Sequence, residues 1–375
     1  MAPAAKGCAS RIERHSALIG ALTVLAVLSA CSGKAPGTTA AAGNQAGTPG
    51  ASWYQLRAGA FQPVAGPGAA ATIPLKVWTV QERIADMAFL GDTLYCAVNG
   101  SGLAAVSLDA AGSPTFASHA DALIFEHRTI TTLVPRDGTV AVHLYYNSVL
   151  NDARPEELQL SGISLVTFLP GQSNYAFVIP PFQRRNADWE AAGFAAESEN
   201  SFDIEWKHTD ATETRFAYTR FHADTRAEEP VTRDTYMAAL GVPSIAGPGV
   251  PADLAAFFED CRTRIPSLGP ETAVQFFLRS RENPVRRSYR SRPVSDDVVL
   301  VPVFEQAGIR SALLPDGTVR RRAAGAAVTT MKLPALPDGF RYTDIARLGS
   351  VLVVPWEEAS FTEVGRAGLL LLRQP

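Results

Sequence analysis

The sequence predicts a mainly β body, and three observations carry that prediction. From about residue 73, short apolar runs of strand length alternate with turns of Gly, Asp, Asn and Pro. A nine-residue segment occurs twice, at Asp86–Leu94 and at Asp344–Leu352. Asp-Gly pairs stand between apolar runs at Asp137-Gly138 and Asp316-Gly317, a strong hairpin signal. The chain has 375 residues, 46% hydrophobic and 19% charged, which is too apolar for a disordered protein and ample for a sizeable core.

The N-terminus comes first in chain order. Lys6, Arg11 and Arg14 precede a fourteen-residue apolar run, Ala17 to Ala30. That length is short for a bilayer span and suits the h-region of a signal peptide. The run ends Leu28-Ser29-Ala30-Cys31, which resembles the bacterial lipobox. The pattern has a chemical reason: the peptidase needs small side chains before the cut, and the cysteine thiol is the nucleophile that takes up a diacylglyceryl group. The resemblance implies a signal peptide at 1–30, cleavage before Cys31 and lipidation of Cys31. Several acyl chains anchor stably where one would not. The alternatives are an ordinary secretory signal with an unrelated cysteine, or a single membrane anchor.

Ser32 to Gly50 is small, polar and rich in Gly, Ala, Thr and Pro, so residues 31–50 read as a lipidated cysteine and a flexible tether. Ser32 replaces the Asp that retains some lipoproteins at the inner membrane, which implies export onward. Without residues 1–30 the chain carries 31 basic and 36 acidic residues, net −5.

The body spans 51–375. Strand-like runs begin at Lys76–Val80, Ile84–Leu90, Thr93–Val98, Leu103–Leu108, Thr129–Pro135, Thr139–Tyr145, Ile163–Leu169 and Tyr175–Ile179. Arg184–Asn200 is polar and Ala/Glu-rich and reads as a loop with a short helix. Strands resume at Phe202–His208 and Arg215–Phe221. A helical insertion follows near 235–267, where Leu254, Phe257, Phe258 and Cys261 recur at helical spacing and Pro251 suits the first helical position. Further strands are Ala273–Arg279, Val298–Phe304, Gly308–Leu314, Val328–Leu333, Ile345–Leu348, Val351–Pro355 and Leu369–Leu372.

Five of the nine positions in the repeat are identical, and a sixth exchanges Met for Ile. Each copy runs into an apolar strand and then reaches a Gly-Leu pair, at Gly102-Leu103 and Gly368-Leu369. The unit is strand, tight turn, strand, looser turn, strand. It resembles a β-propeller blade, at roughly 40–50 residues each, and the body would hold five to seven blades. In many propellers an N-terminal strand completes the last blade, a part that Leu75–Val80 could play. The whole layout resembles the propeller-type envelope lipoproteins of spirochaetes and similar bacteria. It lacks the Trp-Asp and kelch signatures.

Motifs for chemistry are sparse. The sequence holds no His-Glu-x-x-His, Cys-x-x-Cys, Gly-x-Ser-x-Gly, phosphate loop or dinucleotide fingerprint, so no catalytic residue, metal site or cofactor is assigned. His119, His127, His143, His208 and His222 are scattered, although blades could still gather ligands around a channel. The acidic pairs Glu228-Glu229, Asp296-Asp297 and Glu357-Glu358 offer carboxylates, but neighbours on a strand face opposite ways. Cys96 reads as a buried thiol and Cys261 as a helix residue, with a disulfide between them left open.

The sharpest charge feature is Arg279, Arg281, Arg286, Arg287, Arg290 and Arg292, with Glu282 the acidic residue among them and Tyr289 offering a ring for stacking. Arg320, Arg321 and Arg322 form a second cluster. The first set reads either as a patch for an anionic partner or as a solvated basic loop. A net charge of −3 over the chain excludes the basic balance of a nucleic-acid binder. The expected function is a non-catalytic binding or scaffold role in the bacterial cell envelope. The membrane is its partner through the lipid anchor, at the outer membrane or periplasmic face, and an envelope protein or glycan is its further partner. Two alternatives remain: a propeller enzyme acting on envelope or extracellular glycans, and a small-ligand sensor using the channel.

Overall fold

The computed structural model describes residues 50–72, 81–126, 128–136, 138–146, 165–172, 174–186, 188–198, 201–265, 272–283, 286–291, 298–359 and 365–374. They form a mainly β, β-propeller-like fold of five sheets in chain order. Five is the lower end of the range that the repeat predicts.

The first sheet is an antiparallel meander of β3 (Ile84–Leu90), β4 (Thr93–Val98), β5 (Gly102–Leu108) and β6 (Pro114–Ala120). The second is the same arrangement of β7 (Arg128–Arg136), β8 (Thr139–Tyr146), β9 (Leu165–Leu169) and β10 (Asn174–Val178). The third holds β11 (Glu190–Ser198), β12 (Ser201–Thr209), β13 (Thr214–His222) and β14 (Ala227–Pro230). Part of the segment that composition marks as loop and helix is therefore strand: β11 pairs along its length with β12, setting Phe194 against Ile204 and Ala195 against Asp203. Pairing with an apolar neighbour outweighs the weak β propensity of Ala and Glu.

The fourth sheet runs β17 (Val298–Gln306), β18 (Ile309–Leu313), β19 (Thr318–Ala323) and β20 (Thr329–Lys332). On its free edge β15 (Ala273–Ser280) pairs parallel with β17, and β16 (Arg287–Arg290) pairs antiparallel with β15. The fifth sheet comprises β21 (Phe340–Tyr342), β22 (Ala346–Leu348), β23 (Val351–Glu358) and β24 (Ala367–Arg373), completed by β1 (Ala51–Arg57) and β2 (Ala60–Val64). N-terminal strands thus close the last sheet, and they come from 51–64. Leu75–Val80 lies outside the described residues.

The repeat shows in geometry as well as in letters. Gly91 and Gly349 take the same left-handed turn, at φ 59° and 58°. Gly102 and Gly368 share a steric reason: a Cβ would stand 2.8 Å from the His119 carbonyl oxygen in the first case and 1.9 Å from that of Tyr54 in the second. Each carbonyl belongs to the next strand outward, so glycine lets that strand approach. The opening strands of the first three sheets also carry a β-bulge at one level, at Ile84/Asp86, Ile130/Thr132 and Ala191/Gly193.

The core lies between sheets, face to face. One cluster joins the fifth, fourth and first sheets through Trp356, Leu370, Phe304, Leu313, Met87 and Val106. Another joins the first and second through Tyr95, Leu103, Phe125 and Phe168. A third joins the second and third through Val134, Leu165, Phe202 and Trp206. The helical insertion forms helices at Arg233–Leu240 and Ala252–Arg262. In the second helix Leu254, Phe257, Phe258 and Cys261 are all buried, and the Phe258 ring stacks on Phe276 of β15 with centroids 4.5 Å apart. Pro251 stands one place before the first helical residue, as N-cap. Among the described residues no helix is long and apolar enough to cross a membrane.

Candidate functional site

The charged residues converge on β15 of the fourth sheet. Arg279, on β15, donates through Nη2 to Asp86 Oδ1 and, at 3.0 Å, to Asp344 Oδ2. Asp86 lies on β3 and Asp344 just before β22, and they are the first residues of the two repeat copies. Asp86 also accepts from its neighbour Met87 N at 2.9 Å and from Leu133 N of β7 at 2.9 Å. Asp344 makes the matching bond to Ile345 N at 2.8 Å. One guanidinium therefore ties the fourth sheet to the first and fifth, and Asp86 extends the tie to the second. Burial alone would weaken the Arg279 charge, but the carboxylates of Asp344 and Asp86 outweigh it and raise the pKa above the ordinary arginine value. A buried cation with charge-assisted bonds to two carboxylates is a fastening between elements.

The other arginines of the first cluster divide by strand register. Arg281 donates to Asp92 Oδ1 at 2.6 Å and to the Gly91 carbonyl at 3.0 Å, and lies 4.8 Å over the Phe89 ring. Arg286 lies 4.2 Å over Phe277, with Nη1 3.8 Å from Asp86 Oδ1. Arg287 is exposed and Arg290 partly buried. The Arg290 backbone is held on both sides, donating to Pro243 O and accepting from Ile245 N. Arg292 lies outside the described residues. Tyr289 faces inward, 7% exposed and packed on Phe258, so its ring fills core rather than offering a stacking surface. The structure thus brings Arg279, Arg281 and Arg286 onto acidic partners within the body and turns Arg287 to solvent.

The acidic pairs show the alternation expected of a strand. Glu357 is buried and takes Arg341 at 2.6 Å and Arg83 at 3.4 Å. Glu358 forms a two-pronged pair with Arg366 at 2.9 and 3.0 Å, which holds its carboxyl below the usual range. Glu228 accepts from the Thr219 hydroxyl and Phe182 N, whereas Glu229 turns to His222 at 3.6 Å. Asp296 and Asp297 lie outside the described residues, as does His127. His208 sits between Asp188 at 3.0 Å and Asp210 at 3.8 Å, stacked on Trp189. His119 packs on Phe168 with centroids 4.6 Å apart. Among the described residues no three His, Cys, Asp or Glu side chains group as metal ligands. Cys96 and Cys261 are free thiols, each buried, in separate clusters of the core.

The second arginine cluster splits across β19. Arg320 reaches Asp260 of the insertion at 2.5 Å and Thr330 at 2.7 Å. Arg322 stands across from Arg310, which pairs with Asp253 at 2.6 Å. Arg321 points the other way, into a cavity of about 360 Å³ between the fourth sheet and the end of β24. Sequence spacing marks Arg321 of that cavity. It cannot show that residues 372–374 supply the opposite wall.

The chain belongs to the family described as a family of unknown function (DUF8086), whose model matches residues 44–374. No curated protein matches the chain. Among solved structures, TolB from Acinetobacter baumannii aligns over 87% of this chain and 64% of its own length, at 8% identity and a TM-score of 0.27. BamB from Moraxella catarrhalis aligns over 87% of this chain and 82% of its own, at 9% identity and a TM-score of 0.18. A glycosyl hydrolase from Bacteroides ovatus aligns over 80% of this chain and 96% of its own, at 8% identity and a TM-score of 0.24.

Proposed function

We propose that this chain is a lipid-anchored cell-envelope protein whose β-propeller-like body serves as a rigid, non-catalytic binding or scaffold platform. The anchor rests on the lipobox-like Leu28-Ser29-Ala30-Cys31 and the small, polar segment that follows it. The platform rests on one observation above others: the Arg279 fastening joins the fourth sheet to Asp86 and Asp344 of two other sheets. Charges that could serve chemistry instead hold the sheets in fixed relation. Rigidity of that kind lowers the ordering cost of binding a partner. The surface beside the fastening carries exposed Arg287, which suits an anionic envelope protein or glycan.

The test places a photo-crosslinking amino acid at position 287 of the full chain in its native membrane. A discrete adduct of fixed mass, diminished at high salt, supports the reading. Unmodified protein after illumination, or a smear that salt does not change, contradicts it.

A further inference from the structure

The cavity behind Arg321 is basic by construction. Its lining includes Arg321, Lys332 and Arg373, the hydroxyls of Ser311 and Thr329, and no carboxylate among the described residues. Lys332 is already neutralised, its ammonium lying 2.8 Å from Asp316. Arg321 reaches only the Gln374 side-chain oxygen, at 3.4 Å, among the described residues. Arg373 turns to the other face of β24, donating to the Gly112 carbonyl at 2.8 Å and to Ser113 Oγ at 3.5 Å, neither of which lines the cavity. A second guanidinium, Arg347, feels the Arg321 charge: its pKa is depressed, first by burial and then by that charge. Elsewhere in this protein buried and half-buried arginines meet carboxylates: Arg279, Arg310, Arg320 and Arg366 all do. Here the carboxylate is missing and like charges repel, an arrangement that an anion relieves.

We propose that this cavity binds a phosphate group, held by the guanidinium group of Arg321 with the hydroxyls of Ser311 and Thr329. The guanidinium fork and the two hydroxyls together offer more donors than a carboxylate has oxygens to receive them, whereas phosphate presents three or four. Val319, Met331 and Leu372 add an apolar wall that suits an organic phosphate.

The place of the cavity narrows the source. Gly50, the first described residue, accepts from Arg373 N at 3.2 Å, so the chain enters the body at the cavity's rim. Only Ser32–Gly50 separate Cys31 from that point. Whatever its path, a segment of that length spans at most roughly 65 Å. A phospholipid headgroup is then a source within reach, a clause that rests on the anchored reading. A soluble phosphate compound is the other source.

The experiment uses the full chain, purified from its native membrane in an uncharged detergent. Calorimetric titration with inorganic phosphate, against chloride at equal ionic strength, is expected to give saturable 1:1 binding. Arg321→Gln should weaken it at least tenfold. Thr329→Glu, at an exposed position directly across from Arg321, should do the same by supplying the missing carboxylate. Arg321→Lys keeps the charge but not the fork and should bind between wild type and Arg321→Gln, which separates lost binding from lost folding. Doping the micelles with phosphatidylglycerol separates the sources: competition with phosphate identifies a headgroup site, and its absence identifies a soluble ligand. Either result upholds the site. No saturable binding, or equal binding by wild type and both neutralised variants, overturns it. An intact mass of the same sample reports on the lipid anchor separately, so failure of that reading leaves the phosphate titration standing.

Discussion

Asp86 and Asp344 occupy the same position in two copies of one repeated segment and bind the same guanidinium, that of Arg279. The repeat is therefore more than a record of duplicated strands. Each copy opens with a carboxylate that caps its own following backbone N–H and binds the shared cation, Asp344 through its other oxygen and Asp86 through the same one, its second oxygen being taken by Leu133 N. The fourth sheet, inserted between the copies in sequence, is fastened to both.

Removing the cation should cost more than removing either acid. Arg279→Met leaves buried Asp86 and half-buried Asp344 without the Arg279 charge, and stability to urea should fall by about 3–5 kcal/mol. Asp86→Ala should be more damaging than Asp344→Ala, because Asp86 also receives Leu133 N. A change of less than about 0.5 kcal/mol for Arg279→Met would contradict the fastening.

Gly368 tests how the last sheet closes. An added methyl meets the Tyr54 carbonyl oxygen at 1.9 Å and the Trp356 ring at 2.5 Å, so Gly368→Ala must push β1 off β24. The expected loss is about 1–3 kcal/mol or more, with early amide exchange confined to β1 and β2. Gly171→Ala is a control for glycine replacement where a Cβ finds open space and the backbone is not left-handed. Unchanged exchange in 51–64 would argue against N-terminal closure.

The two core thiols should be silent. Burial pushes Cys96 and Cys261 up to about 12. At pH 8 about one thiol in ten thousand is then thiolate, too little for rapid labelling. A thiolate reagent should label neither in the folded protein and both after unfolding. A fast-reacting extra thiol would mark an unacylated Cys31 or, in an uncleaved chain, Cys8.

Acid should weaken the fold in two steps. Burial holds His119 below its ordinary 6.5, so the folded state favours the neutral ring. That stability is present above 6.5 and is lost as pH falls through the lower folded value. Arg366 holds Glu358 below its ordinary 4.5, so its contribution persists above 4.5 and disappears at still lower pH. Urea midpoints measured from pH 8 to 3 should decline in that order, and His119→Phe should remove only the upper step. Stability rising between pH 7 and 5 would contradict the His119 assignment, and stability rising as pH falls below 4.5 would contradict that of Glu358.

Much of the fold is legible because each strand carries its own pattern. Ile84–Leu90, Thr93–Val98 and Val351–Pro355 are apolar runs bounded by turn residues, and the strands fall there. Glu190–Ser198 misleads because its strand character comes from β12, a neighbour that composition does not see. Ala51–Val64 gains its place from β24, more than 300 residues away. The site is less legible for the same reason. A run of arginines reads as a surface patch until the fold brings Asp86, Asp92 and Asp344 against it. Arg321 looks like its neighbours Arg320 and Arg322, and only strand alternation sends it to the face without a carboxylate.

The anchored-platform account is tested most directly by the intact mass of the protein from its native membrane, beside a Cys31→Ala variant. The account predicts a chain beginning at Cys31 plus a diacylglyceryl group, with that species absent in the variant. A mass without lipid, or a mature chain cut elsewhere, would contradict it.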